Sequence, residues 1–135
     1  MLLQRGRIQS QILLAEDDPG IMYTFRAVLE QAGFTVDCAG TFGEAQTAVR
    51  DHHYDAIITD FALDRNDLGL ELAREAKRRN PAPAILVYTS HPTVDQLRNA
   101  LAARVDYFAF KPVDLDEIKL AIARLVARRA EGLMA

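Results

Sequence analysis

The sequence predicts an alternating α/β domain, five βα units built around a parallel sheet, and three observations carry that expectation. Five short apolar runs, at residues 12–15, 35–39, 56–60, 84–89 and 105–110, are separated by amphipathic stretches long enough for a helix. Strand–helix alternation of this spacing requires crossover connections, and crossovers give parallel strands. Several of the runs are continuously apolar rather than alternating, as strands covered on both faces are. Finally, four runs finish on polar groups: Glu16-Asp17, Asp60, Thr89-Ser90 and Lys111. Parallel strands deliver their C-terminal ends to one edge of the sheet, the edge at which open α/β sheets bind ligands.

Each element has its own signals. Strand 1 leads to a helix that Asp18 can cap and whose first turn holds Pro19, where a missing N–H does no harm. Ile21, Phe25, Val28 and Ala32 form its expected buried stripe, and Gly33 its stop. After strand 2, Thr41 and Glu44 have a capping-box spacing, with Phe42, Ala45 and Val49 toward the core. That helix fades near His52 and His53, which lack ligand spacing with His91 and read as solvated. Strand 3 ends on Asp60. The polar loop Asp64-Arg65-Asn66-Asp67 leads to a helix over 68–79, closed by Pro81 and Pro83. Thr93 can cap a fourth helix with Val94, Leu97 and Leu101 on one face. Lys111-Pro112 ends strand 5, and a last helix over 114–129 carries the stripe Leu115, Ile118, Ile122 and Leu125. Residues 1–8 read as a disordered lead-in, 9–129 as the domain and 130–135 as a tail.

Composition narrows the function classes. With 135 residues, half of them hydrophobic and 26% charged, the chain suits one domain with a real core. A net charge of −3 offers no basic footprint, which disfavours direct contact with nucleic acid. No apolar run approaches the ~20 residues of a membrane span, and the first residues lack the apolar stretch of a signal peptide. The single cysteine, Cys38, falls in strand 2 and reads as a buried thiol in a reduced, cytoplasmic setting.

If strands 1 and 3 are neighbours, Glu16, Asp17 and Asp60 crowd one pocket, and carboxylates at close quarters call for a cation. Taken with Thr89 and Lys111-Pro112, in this order and spacing, they resemble the receiver domain of bacterial two-component response regulators, the CheY-like proteins, over residues 9–128. The resemblance implies a flavodoxin-like three-layer sandwich with strand order 2-1-3-4-5. It also implies that Asp60 accepts a phosphoryl group from a sensor histidine kinase or a phosphotransfer protein, forming an acyl phosphate. Mg²⁺ would be held by Glu16, Asp17, Asp60 and the backbone carbonyl of Ala62. Lys111 would neutralise the phosphoryl oxygens and Thr89 would donate a hydroxyl to them. Such a chain signals to a downstream protein, with no enzymatic activity beyond its own phosphorylation and dephosphorylation.

The same resemblance assigns a switch to Thr89 and Phe108. The hydroxyl is drawn inward, and the strand 5 aromatic rotates into the vacated space. Many members have Tyr where this chain has Phe108, which fills the space but carries no hydroxyl. Output would come from the face of the fourth helix, fifth strand and fifth helix. The Lys111–Pro112 bond is cis in the family. Ala62 and His91 lie two residues beyond Asp60 and Thr89, positions that border the approach of water, so His91 is a candidate for setting the phosphoryl lifetime.

Two departures from the family pattern stand out. The usual Pro four residues after the acceptor and Gly eight residues after it are replaced by Asp64 and Leu68, and the glycine arrives at Gly69. The loop is therefore one residue longer, as in some receivers associated with hybrid kinases, and the chain could itself be a receiver excised from a larger regulator or hybrid histidine kinase. Ala121 stands where OmpR/PhoB-type receivers offer Arg for dimer salt bridges, so a monomer or weak dimer is expected. Two rival classes fit less well. A haloacid-dehalogenase-type phosphatase needs a second Asp two residues beyond the first, where Ala62 stands. A flavodoxin-like binder of a nucleotide or FMN needs a Gly/Ser/Thr-rich phosphate loop after strand 1, where Glu16-Asp17-Asp18 would repel phosphate.

Overall fold

In the computed structural model residues 10–65 and 67–134 are described, so the lead-in expected at 1–8 lies outside the described residues. The elements run β1 (Gln11–Ala15), α1 (Pro19–Gln31), β2 (Thr35–Ala39), α2 (Phe42–Asp51), β3 (Ala56–Asp60), a 3₁₀ turn (Leu63–Arg65), α3 (Leu68–Lys77), β4 (Ala84–Thr89), α4 (Val94–Ala102), β5 (Tyr107–Phe110) and α5 (Leu115–Met134). All neighbouring strands pair in parallel in the order β2-β1-β3-β4-β5. The topology reverses between β1 and β3, which places Glu16 and Asp60 on adjacent strand ends.

Period-2 alternation divides the strand side chains between two core layers. Leu13, Ile57, Ile85 and Val87 pack with Ala45 and Val49 of α2 and Leu72, Ala73 and Ala76 of α3. Ile12, Leu14, Ile58, Leu86 and Tyr88 pack on the other face with Phe25 and Leu29 of α1 and Ile118 and Ile122 of α5. Both faces of β3 and β4 are covered, and every residue in these two strands is buried.

The helix ends follow the expected chemistry with some adjustments. The Asp18 carboxylate accepts the N–H groups of Gly20 and Ile21 at 2.8 and 3.1 Å. The Thr41 hydroxyl accepts the Glu44 N–H at 3.1 Å, while the Glu44 carboxylate reaches back to the N–H of Gly40 rather than of Thr41. In α1 the buried residues are Phe25 and Leu29, flanked by half-buried Ile21, Met22 and Val28. Ala32 is exposed, because there the chain leaves the helix through Gly33 at φ 99°. β5 starts at Tyr107 rather than 105, since the Val105 N–H closes α4 on the Ala100 carbonyl. α3 ends at Lys77 rather than 79, and α5 continues to Met134, so the tail expected from 130 is helical. The face of Val94, Leu97 and Leu101 points outward; Ala100 is the buried residue of α4.

The edge of the sheet opposite the strand C-termini is tied together by Asp55. Its carboxylate accepts the Gln11 N–H at 2.7 Å and pairs with the Arg129 guanidinium at 2.9 Å. Its own N–H and carbonyl bond to Gln11 and Ala84. Arg129 also donates to the Ala82 carbonyl at 2.8 Å, fixing the far half of α5 to this edge.

Candidate functional site

At the C-terminal edge, β1, β3, β4 and β5 place their terminal residues around one pocket. Glu16, Asp17 and Asp60 each offer a carboxylate oxygen, and these oxygens all lie within 4.8 Å of one another. Glu16 and Asp60 are buried and Asp17 is exposed, so the cluster opens to solvent on one side. An all-oxygen donor set of this kind can hold a metal ion, and it suits a hard divalent cation. Lys111 supplies the pocket's cation: its Nζ lies 3.1 Å from Asp60 Oδ2. The Lys111 backbone N–H is fixed on the Thr89 carbonyl at 2.7 Å, and the Lys111–Pro112 bond is cis, as the resemblance implies.

Thr89 is buried at the end of β4, and its hydroxyl accepts the His91 N–H at 3.3 Å. The His91 side chain is exposed. Ala62 is exposed, and its N–H donates to Asp60 Oδ1 at 3.2 Å. Phe108 is half-buried, with its ring edge-on to Phe61 at 6.4 Å and to Phe110 at 5.7 Å. Asp18 serves α1 as a cap. Ala121 is buried against the sheet side of α5.

Two residues of the segment after Asp60, Asp64 and Gly69, make defined contacts. Asp64 takes φ 57° inside the 3₁₀ turn, and its carboxylate accepts the Phe42 N–H at the start of α2 at 2.7 Å. Gly69 lies against the end of β3. A Cβ on Gly69 would sit 1.9 Å from the Asp60 carbonyl oxygen. Its N–H bonds to the Phe61 carbonyl at 3.2 Å. Only glycine permits that approach.

Nothing in the periodicity separates Tyr88 from an ordinary buried strand residue, yet it joins the site. Its hydroxyl donates to Glu16 Oε1. The Lys111 Nζ lies 5.2 Å above its ring, and Phe25 of α1 packs on it at 5.2 Å. The available signal is chemical: a buried tyrosine hydroxyl requires a partner, and the other residues of its strand before Thr89 are aliphatic. Burial first, then Asp60, raises the Glu16 carboxyl above its ordinary 4.5, opposed chiefly by the Tyr88 hydrogen bond. Burial likewise pushes the Tyr88 phenol well up, with the Glu16 charge adding to it.

The fold and site together define a doubly wound α/β domain with an acidic, lysine-faced pocket at its switch point. A sequence profile described as the response regulator receiver domain matches residues 12–123. The chain belongs to that family and is a receiver domain of two-component response regulators. The transcriptional regulatory protein PmrA of Pectobacterium parmentieri is 30% identical over 122 residues, 90% of this chain and 54% of that protein. The alginate biosynthesis transcriptional regulatory protein AlgB of Pseudomonas aeruginosa is 32% identical over 117 residues, 86% of this chain and 26% of AlgB. The chain thus spans between about a quarter and about half the length of these relatives. Among solved structures, the CheY-like receiver domain protein of Methanospirillum hungatei superposes with TM-score 0.86 at 22% identity, covering 93% of this chain and 99% of that one. Among the described residues no helix is long and apolar enough to cross a membrane.

Proposed function

We propose that the chain accepts a phosphoryl group on Asp60 from a phosphohistidine of a sensor kinase or phosphotransfer protein. The observation that carries this is the Lys111 ammonium 3.1 Å from Asp60 Oδ2, inside a cluster of three carboxylates on adjacent strand ends. An Asp60 oxygen attacks phosphorus as the N–P bond breaks, and the electron pair leaves on the imidazole nitrogen. Glu16, Asp17, Asp60 and the Ala62 carbonyl would hold Mg²⁺, which would supply positive charge to offset that of the phosphoryl oxygens. Lys111 screens the same oxygens, and Thr89 donates its hydroxyl to one of them.

Thr89 and Phe108 carry the response in this reading. The hydroxyl moves toward the phosphoryl group, and the Phe108 ring, edge-on to Phe61 beside the acceptor, follows into the space. The signal passes through protein contacts in a cytoplasmic setting. The relatives are transcriptional regulators, which favours a downstream partner or appended domain that acts in transcription. His91 and Ala62 flank the path of water to the acyl phosphate. Replacing His91 with Ala is expected to change the dephosphorylation rate, followed by loss of phosphorylated protein with time; an unchanged rate removes His91 from that role.

The deciding experiment treats the protein with acetyl phosphate and Mg²⁺ and weighs it intact. The expected result is a mass gain of one phosphoryl group that disappears in Asp60→Asn. A gain that persists in Asp60→Asn overturns the assignment.

A further inference from the structure

Both carboxylate oxygens of Glu16 are held by the fold. Oε1 accepts the Tyr88 hydroxyl, and Oε2 accepts the Asp18 N–H at 2.9 Å. The Tyr88 side that makes this bond is itself immobilised. Its ring is fully buried between Phe25 and the Lys111 ammonium. Its backbone is in register with Asp60, and its carbonyl accepts the Phe61 N–H at 2.8 Å. The hydroxyl therefore holds Glu16 from a strand position paired in register with Asp60.

Divalent ions differ in what they ask of a carboxylate. Ca²⁺ takes about six to eight oxygens and accepts a carboxylate through both of its oxygens, whereas Mg²⁺ demands near-octahedral geometry and few carboxylates. The hydrogen bonds to Tyr88 and Asp18 occupy one lone pair on each Glu16 oxygen and fix the carboxylate's orientation, which limits its freedom to turn both oxygens onto one ion. Partners behind a ligand fix its orientation and so tune the ion it takes. We propose that Tyr88 is a specificity-determining positioning residue, holding Glu16 so that it meets the ion through a single oxygen and the pocket favours Mg²⁺ over Ca²⁺. The inference rests on the reading of Glu16, Asp17 and Asp60 as the ion site.

The test is calorimetric titration of Mg²⁺ and, separately, Ca²⁺ into the whole chain stripped of metal, as the unsubstituted protein, Tyr88→Phe, Glu16→Gln and the double variant. Phe keeps the ring between Phe25 and Lys111 and removes only the hydroxyl; if its circular dichroism shows an unfolded chain, Tyr88→Met is measured instead. The Mg²⁺ dissociation constant is expected to rise about tenfold in Tyr88→Phe, with a smaller change for Ca²⁺, so that discrimination falls. In the Glu16→Gln background the same substitution is expected to leave discrimination unchanged, which a general loosening of the fold would not do. A fall in discrimination of less than about threefold in Tyr88→Phe, or one that persists without Glu16, overturns the proposal while leaving the ion-site reading intact. Absence of Mg²⁺ binding by the unsubstituted chain overturns both.

Discussion

Glu16 is almost entirely buried, lies beside two other carboxylates and is held by Tyr88, so it is the residue where the proposed ion site and stability conflict most directly. Its carboxyl is raised above 4.5, first by burial. The folded chain therefore binds this proton more tightly than the unfolded chain does. Its contribution to stability is fully present below about 4.5 and is lost as pH rises through the raised folded value. Glu16→Gln is thus expected to raise the thermal midpoint at pH 7 in chelator by a few degrees. The further rise that Mg²⁺ is expected to give the unsubstituted chain by mass action should be smaller in this variant at the same Mg²⁺ concentration. Differential scanning calorimetry with and without Mg²⁺ reads both, and a lower midpoint in chelator would refute the first expectation. At this scale the sequence is highly legible for Glu16, Asp17, Asp60, Thr89 and Lys111, because a polar residue ending an apolar run announces itself. Tyr88 was hidden by the same logic: inside a strand its ring counts as apolar, and only its partner reveals the hydroxyl's role.

The segment between β3 and α3 shows what a one-residue insertion does to an element junction. The added length is visible in the sequence as a glycine at 69 instead of 68. The tie between this segment and α2 is not, because the Asp64 carboxylate bonds to the Phe42 backbone amide, and no local period encodes such a contact. Gly69→Ala is expected to cost more than about 2 kcal/mol, since its methyl would collide with the Asp60 carbonyl and the neighbouring atoms there are main chain. Urea unfolding checks this, and a loss below half that amount would mean the α3 start shifts freely. The fourth helix teaches the complementary lesson. Periodicity finds the common face of Val94, Leu97 and Leu101, but a face is not a direction. Small Ala100 and Ala103 pack toward the core, and the large residues look outward. The overestimated stripe of α1 has a similar cause, since Ala32 keeps the period but stands where the helix has already turned away.

Across the whole molecule the alternation of five strands and five helices was readable from spacing alone, whereas the strand order came only with the family resemblance. Hydrophobic patterns specify which faces are covered, and not which strand lies beside which. The Asp55–Arg129 connection is equally invisible in the sequence, being an acid and a base 74 positions apart. Arg129→Ala is expected to lower unfolding stability by about 1–2 kcal/mol through the loss of its bonds to Asp55 and Ala82. It should leave phosphorylation by acetyl phosphate unaltered, because the pocket is at the opposite edge; slower labelling would show that the two edges communicate.

That anchored lower edge has a consequence for how the protein can move. β3 is a single buried rod, tied to three other elements through Asp55 just before it and bearing Asp60 as its last residue. Excursions are therefore confined to the upper rim and to α4, whose amides should exchange with deuterium by small local openings, while those beside Asp55 should wait for the chain to open as a whole.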